Sequence, residues 1–599
     1  MFDGVFVAGG STLNLEYAAS VTEVTFRNLA LVNVKQDMAY SLNRFVNVAE
    51  ISISAGKTLT LDAANTDVTL GSDVTGDGKF VITNGKTVYA AGRNITLSDS
   101  SVNMIAGATY SPGAGKSKDF AETNLTLNNV TAASSVYGGS YYTDHVGTAN
   151  LTINGGTYNG RVVGGSTCDD YNENIVVDRT NVVITAGTFK QEVYGGGNAA
   201  STVKAGSSLT ISGGTFSNSV FGGGSGRSVV GDWELVDGIA VEKADSPKAD
   251  SSLTISGGTF NSNGATGGVY GGNAHGFVTG NASVTITGDG TVSIRGRVVG
   301  GNNASSPSGR AANYIGGNTY VTIENANAVI AGHVFGGSSS QKYDEDGGSA
   351  TLVKGDSHVT ITAGTVQSAS GSTGRVYGGG CGIEGGLSVV EGTAYVTIGT
   401  EGVADAENKL NVQNVYGSGN SYSFYSVNNG AYPVRAALRV DGWHDRMQVA
   451  HHSKYFHIID VGTSCDYGIR FRDAVKKAAL YMEKPGHRIA WKTASGNVAL
   501  SAVPGALSLN GGGLAKVKSI AATEKAGANL RGIDVKIPAG VKNFEVKFPQ
   551  AEPDGLYSLT VQPNWLCRWA VTAKTAQGFT VAFDEAANSN STIDWQMIR

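Results

Sequence analysis

Carboxylates and histidines could give this chain acid–base chemistry on a polysaccharide. Glycoside hydrolysis needs two carboxyl groups about 5 to 9.5 Å apart. Suitable side chains occur in three short fragments, which are residues 65–67 (Asn-Thr-Asp), Asp169-Asp170 and His275-Gly276. About 100 residues separate each fragment from the next, too many for adjacent turns of a repeat. The sequence therefore predicts no catalytic residue.

Metal binding is the second chemistry to consider. Five of the nine histidines lie between residues 444 and 487, but their spacing matches no metal motif. The acidic run at 344–346 fits a hydrated loop better than a calcium site. The four cysteines are far apart and form no Cys-x-x-Cys pair, which argues against zinc. We expect no metal and no cofactor. The residues concerned are His444, His451, His452, His457, His487, Asp344, Glu345, Asp346, Cys168, Cys381, Cys465 and Cys567.

A row of aromatic residues suggests a binding site. Each follows the valine of a recurring Val-x-Gly-Gly phrase, and strand alternation turns it away from a core-facing valine. Exposed rings would form a platform for sugars. In the alternative interpretation, longer loops cover the rings and use them for packing. The candidate binding residues of the row are Tyr137, Tyr194, Phe221, Tyr270, Phe335 and Tyr377.

These aromatics belong to a two-part phrase that occurs about eight times between residues 136 and 419, as in LTISGGTF (209–216) followed by VFGGG (220–224). Such repetition predicts a stacked solenoid, a single-stranded parallel β-helix. Residues two apart in a strand share a face, so the first and third triplet positions should point into the core, with threonine outside. The third position is always isoleucine: Ile153, Ile184, Ile211, Ile255, Ile286, Ile323, Ile361 and Ile398.

Composition excludes several classes of protein. Glycine accounts for 85 of 599 residues, and it permits the tight turns of a narrow coil. The strict isoleucine positions argue against low-complexity disorder. A net charge of −5 gives no electrostatic footprint for nucleic acid. No window approaches 18 uninterrupted apolar residues, so we expect no transmembrane helix, and the first residues lack a recognisable secretory signal.

The pattern changes along the chain and predicts four zones. Residues 1–130 form irregular β-helix coils, and 131–422 form the regular glycine-rich repeats. Residues 423–504 form a cap or irregular segment with one short helix, at Asp473–Lys484. In zone 505–599, alternating strands joined by short polar turns predict a small antiparallel β-sandwich.

The segment 555–599 resembles the C-terminal modules of phage tail fibres and tailspikes, and loosely the H-type lectin sandwich. The resemblance covers less than a tenth of the chain, and it implies a fibre-like or surface protein that is often a trimer. It also adds Trp565 to the candidate binding residues. The upstream repeats resemble glycine-rich β-helices of bacterial surface proteins, with a pectate-lyase-like fold. Matching positions of the C-terminal module are Tyr557, Trp565, Lys574, Gly578, Phe579, Asp594, Trp595 and Arg599.

Together these features favour a non-enzymatic fibre or surface protein, extracellular, on a cell surface or on a virion. Its rigid β-helix would serve adhesion or the binding of cell-surface or extracellular polysaccharide, and we expect a homo-oligomer, either a trimer or a filament. Two alternatives stay open. One is a polysaccharide-depolymerising tailspike, a lyase or a glycosidase, and the other is a self-assembling surface-layer or filament subunit.

Overall fold

The protein is described here by a computed structural model. It has two compact units, Met1–Ile469 and Arg470–Arg599. The described residues contain many strands and no α-helix, so the prediction of an all-β chain is confirmed for them. The predicted helix at Asp473–Lys484 lies outside them. They are 5–7, 10–16, 24–41, 44–109, 118–142, 144–169, 175–262, 267–304, 313–340, 351–367, 374–382, 388–400, 409–412, 414–417, 419–421, 435–440, 488–493, 496–503, 506–509 and 531–598.

The first unit begins with short parallel strands. The coils build three small parallel sheets of three, four and three strands, and apolar residues of these strands such as Val32, Val34 and Ile53 are buried. The strands of the three sheets are Val5–Val7, Thr25–Arg27 and Phe45–Val46; Thr12–Leu15, Leu31–Val34, Glu50–Ile53 and Asp73–Thr75; and Met38–Ser41, Thr58–Asp62 and Lys79–Thr83.

The regular coils follow as a parallel β-solenoid. A complete coil passes through four rows of strands, and these strands pair in parallel with their counterparts in the next coil. Row 1 contains the Leu/Val-x-Ile triplet, and row 2 contains the residues after the glycine turn that follows it. Row 3 contains the valine of the second phrase and the residue after it. Row 4 contains the strands that precede row 1 of the next coil. Three long strands run through rows 4, 1 and 2 without interruption, and they are Asp119–Ala132, His145–Tyr158 and Val176–Phe189.

The other strands of the array are shorter. Row 1 contains Asn94–Ser98, Ser207–Ile211, Ser251–Ile255, Ala282–Ile286, Thr319–Ile323, Ser357–Ile361, Thr393–Ile398 and Arg435–Val440. Row 2 contains Thr215–Phe216, Gly258–Phe260, Val292–Ile294, Ala328–Ile330, Thr365–Val366 and Asn411–Val412. Row 3 contains Val68–Thr69, Val136–Tyr137, Val162–Val163, Val193–Tyr194, Val220–Phe221, Gly268–Tyr270, Arg297–Val299, Val334–Phe335, Arg375–Tyr377 and Asn414–Tyr416. Row 4 contains Thr202–Val203, Val229–Val230, Phe277–Val278, Tyr314–Ile315, Thr351–Val353 and Ser388–Val390. Gly85–Tyr89 and Ser101–Ala106 pass from row 2 to row 3.

The core confirms the predicted register of the triplet. All eight isoleucines of its third position have no exposed surface, and the first-position leucines and valines are buried beside them. Row 2 adds a column of stacked rings, in which Tyr158, Phe189, Phe216 and Phe260 follow one another at centroid distances of 4.7 to 5.1 Å. Each coil therefore buries the same face against the one before it, as in other solenoids.

The glycine turn after row 3 is closed by tight packing between coils. A Cβ on Gly195 would overlap the carbonyl oxygen of Gly222 in the next coil and would press on Leu209. Glycine is needed here because of this close approach, since Gly195 has no positive φ. The glycine turn after the triplet differs, because Gly214 has a φ of +108° that other residues rarely adopt.

We expect Gly195→Ala to lower the free energy of unfolding by about 1 to 3 kcal/mol or more, because the added methyl group forces two coils apart. Chemical denaturation of the whole chain measures the change. Gly71→Ala is the matched control, since a Cβ on Gly71 meets nothing within 4 Å and its φ is not positive. Equal stability of both variants would contradict this account of the turn.

Segments after the row 3 turn leave the coil and return to it. Another insertion follows the row 4 strand Val229–Val230 and contains an antiparallel hairpin, Trp233–Val236 paired with Ile239–Glu242. Trp233 anchors it, since its Nε1 donates to Thr202 Oγ1 at 2.6 Å. The segments after the row 3 turn contain shorter strands that stack on one another: Thr167–Cys168 and Asn198–Ala199 in one pair, and Asn303–Ala304, Ser339–Ser340, Cys381–Gly382 and Asn420–Ser421 in a four-stranded sheet.

In the second unit, the described residues form three antiparallel sheets of three strands. Two of them contribute side chains to one apolar cluster that includes Phe579, Trp595 and Met597. Their strands are Arg531–Lys536, Thr592–Ile598 and Ser558–Pro563 in one, and Asn543–Lys547, Gly578–Phe583 and Trp569–Thr575 in the other. The third sheet contains Arg488–Thr493, Gly496–Val503 and Ala506–Leu509.

Residues of the tail-fibre-like motif have structural contacts in this unit. The buried Tyr557 hydroxyl donates to the Gly578 carbonyl oxygen at 2.6 Å, and Lys574 Nζ donates to the Tyr557 carbonyl oxygen at 2.6 Å. Asp594 Oδ1 accepts the Asp534 amide at 2.8 Å. These contacts join strands and turns of the second unit.

Candidate functional site

The six predicted aromatic residues of row 3 are buried, so the prediction that they form an exposed platform is wrong. Tyr137 has 6% of its surface exposed, and Phe335 has none. The rings do form a column, with Tyr194 5.2 Å from Phe221 and Phe335 4.8 Å from Tyr377. Burial raises the pKa of Tyr377 to about 12. The buried set is Tyr137, Tyr194, Phe221, Tyr270, Phe335 and Tyr377.

The reason is that the outer side of row 3 does not face solvent. Alternation does turn the rings away from the valine core, as predicted, but they enter a second apolar cluster. Ala274 and Cys381, which belong to the segments after the glycine turn, pack in the same cluster. The segments that leave the coil therefore fold back over the rings, and the packing alternative describes this row.

A buried polar column holds those segments in place. It occupies the position immediately after the two glycines, where Asn273, Asn302 and Ser338 have no exposed surface. The Asn273 amide donates to Asn302 Oδ1 at 2.8 Å, and the Asn302 amide donates to Ser338 Oγ at 3.1 Å. Asn302 Nδ2 in turn donates to the carbonyl oxygens of Gly276 at 2.9 Å and Tyr314 at 3.3 Å. The column thus connects successive coils and fixes the loop that follows each turn.

Trp565, the last predicted binding residue, is half-buried. Its ring packs 4.8 Å from Phe583 beside the apolar cluster of the second unit, and its Nε1 is buried without a hydrogen-bond partner among the described residues. Most of the ring is used for packing, so only its remaining exposed part could contact a ligand.

The candidate catalytic fragments are not brought together among the described residues. Asp67 lies 3.7 Å from Lys86 Nζ, whereas Asp169 Oδ1 accepts the Tyr142 hydroxyl at 2.8 Å. His275 is largely buried, which lowers its pKa to about 4. Within the described part of the chain, no three His, Cys, Asp or Glu side chains are grouped to hold a metal ion. Asp170, residues 344–346, Cys465 and the five clustered histidines lie outside that part.

The outer face of row 1 carries a regular column of outward side chains, the arrangement that was predicted for the row 3 rings. The outward position immediately before each row 1 triplet forms a single column across the coils. Asparagines occupy its first coils, and their side-chain amides bond to one another at 2.6 to 2.9 Å. Serines and then rings follow. The column is Asn94, Asn124, Asn150, Asn181, Ser208, Ser252, Ser283, Tyr320, His358 and Tyr395.

Its last three residues form a solvent-facing aromatic stack. His358 lies between Tyr320 and Tyr395, with centroid distances of 5.0 and 4.8 Å and nearly parallel planes. Burial between the rings lowers the pKa of His358, so the imidazole stays neutral near pH 7. One face of Tyr320 stacks on His358. The strand register places the small side chain of Ser283 next to the opposite face of Tyr320.

We call Ser208, Ser252 and Ser283 the serine row. Three coil spacings, about 14 Å, separate Ser208 from Tyr320 along the column. A cavity of about 220 Å³ adjoins the start of the row and is lined by Ser208, Ser252, Arg179, Lys248 and Asp250, among others. Hydroxyl groups, charged groups and one uncovered ring face thus lie along one edge of row 1.

The sequence contained a signal for this site that the prediction missed. The position two residues before the triplet's middle threonine changes from Asn to Ser to Tyr, His and Tyr along the repeats. Comparison with protein-family models, curated proteins and solved structures found no match. The described residues include no helix that could span a membrane.

Proposed function

We propose that this protein is a non-enzymatic scaffold whose outer row 1 face binds polysaccharide. The observation that carries the proposal is the serine row, which ends at the face of Tyr320 that does not stack on His358. Sugars combine apolar ring faces with hydroxyl edges, so a ring face beside a line of hydroxyl donors and acceptors suits them.

The solenoid supplies rigidity for this role. Continuous columns of isoleucine, stacked rings and buried amides join each coil to the next, so the outer positions are held at a fixed spacing. The function as an extracellular, cell-surface or virion fibre is part of the same proposal. An oligomer, such as a trimer, would multiply weak sites into useful avidity.

The second unit is proposed to contain a small β-sandwich of the tail-fibre type. Support comes from two antiparallel sheets that share one apolar cluster, and from the motif residues that join their strands. In this proposal the sandwich is an accessory contact or assembly module.

Replacing Tyr320 with alanine is expected to weaken polysaccharide binding about tenfold, because it removes the ring face at the end of the serine row. A glycan array identifies binders of the full chain, and calorimetry on the best of them gives the affinity. The melting temperature should change little, since Tyr320 lies on the outer face and is only partly buried.

Trp569→Ala is the matched control, because Trp569 is an exposed aromatic residue of the second unit. Loss of binding in this control with full binding in Tyr320→Ala would overturn the proposed site. Release of reducing ends or of unsaturated sugars from a bound polysaccharide would instead support the depolymerising alternative.

A further inference from the structure

The cavity at the start of the serine row is lined by three charged side chains. Arg179 and Lys248 bring two cationic groups to it, and Asp250 brings one carboxylate. Elsewhere along the same outward column, the side chains are amides, hydroxyls or rings. The cavity, at about 220 Å³, has room for a single sugar residue.

The charges of the lining favour an anion. Arg179 is exposed and makes no ion pair with any residue that the structure describes. Lys248 pairs with Glu242, but that carboxylate also lies 3.7 Å from Lys354 Nζ, so its charge is shared. Asp250 Oδ1 already accepts the Asn281 amide at 2.6 Å. The lining therefore has two cationic groups against one carboxylate, and Lys248 shares its counter-charge Glu242 with Lys354.

The backbone around the cavity is fixed by pairing between coils. The Thr180 amide donates to the Gly206 carbonyl oxygen at 3.2 Å, and the Ser207 amide donates to the Asp250 carbonyl oxygen at 3.0 Å. Gly206 has a φ of +114°, and a Cβ there would lie 3.0 Å from the Asp250 carbonyl oxygen. The segments that carry the charged side chains thus start from a rigid frame, which lowers the cost of binding.

We infer that this cavity binds the acidic group of an anionic polysaccharide whose chain continues over the serine row toward Tyr320. The inference rests on the proposed function and names its ligand class. Arg179 would receive a carboxylate in a two-pronged hydrogen bond, the geometry that guanidinium groups favour. Lys248 adds a point charge, and the hydroxyls of Ser208 and Ser252, with Asp250, suit the hydroxyl groups of the same sugar.

The test compares the full chain with the double variant Arg179→Gln/Lys248→Gln. Alginate provides carboxylates, carboxyl-reduced alginate is its neutral form, and dextran sulfate provides sulfate esters. We expect alginate to bind at least tenfold more tightly than its reduced form, and the double variant to lose that preference. Tighter binding of dextran sulfate than of alginate would identify a sulfate as the acidic group and would leave the assignment to an anion intact.

Lys190→Gln is the control variant, since Lys190 is an exposed lysine of the same coil that does not line the cavity. Its anion preference should equal that of the unchanged chain. Equal binding of acidic and reduced polymers, or an unchanged preference in the double variant, would overturn the inference. If neutral glycans still bind and Tyr320→Ala still weakens them, the proposed function survives that result. If no glycan of any charge binds, both are wrong.

Discussion

Phe216→Ala is expected to lower the free energy of unfolding of the solenoid unit by about 3 to 5 kcal/mol. Phe216 has no exposed surface and stacks between Phe189 and Phe260, each at a centroid distance of 4.7 Å. The substitution removes the buried ring and leaves a cavity in contact with both neighbouring coils. Because each coil is stabilised mainly by its neighbours, amide hydrogen exchange should increase most in those coils.

Chemical denaturation and hydrogen exchange of the whole chain measure the effect. Val329→Ala is the control, because Val329 belongs to row 2 but points outward and is 42% exposed. We expect that variant to change stability by no more than about 0.5 kcal/mol. A similar loss in both variants would show that the ring column is not a main source of cohesion between coils.

Asn302→Ala is expected to destabilise the same unit by about 2 to 5 kcal/mol, the second large effect. The change leaves the Asn273 amide without its acceptor and removes the donor to the carbonyl oxygens of Gly276 and Tyr314. Each buried polar group left without a partner costs about 1 to 3 kcal/mol. Faster hydrogen exchange at the Asn273 amide would locate the damage.

Asn154→Ala serves for comparison. Asn154 also bonds to an asparagine of the neighbouring coil, with Nδ2 3.0 Å from Asn128 Oδ1, but it is exposed to water. Water replaces the lost partner, so the expected change is within about 0.5 kcal/mol. If Asn302→Ala were equally mild, the buried amide column would not be what fixes the loops after the glycine turns.

Much of the solenoid could be predicted because its rules are local and repeated. The isoleucine column follows from the two-residue period of a strand, and the structure places all eight side chains in the core. The glycines of the row 3 turn were expected from the need for close backbone approach, which Gly195 shows. Repetition allowed the same rule to be checked coil after coil.

The candidate site could be predicted only in part. Alternation correctly separated Tyr194 and Tyr270 from the valine core, but it says nothing about what lies beyond the strand. Whether an outward ring is exposed depends on where the loop segments of variable length fold. Asn302 holds one such segment through hydrogen bonds to residues 26 and 12 positions away along the chain. The partly exposed stack of Tyr320, His358 and Tyr395 was not predicted because these residues lie about 37 positions apart and align only through register.

The sequence by itself therefore determined the coil: its period, its inward side chains and the positions that must be glycine, since each depends on neighbours within a few residues. Only the tertiary structure decided which outward positions reach solvent. Stacking brings Arg179, Ser208 and Ser252 to one cavity although they are 29 to 73 residues apart, and folded-back loops bury the row 3 rings. Exposure is a property of the packed surface, so a local pattern does not contain it.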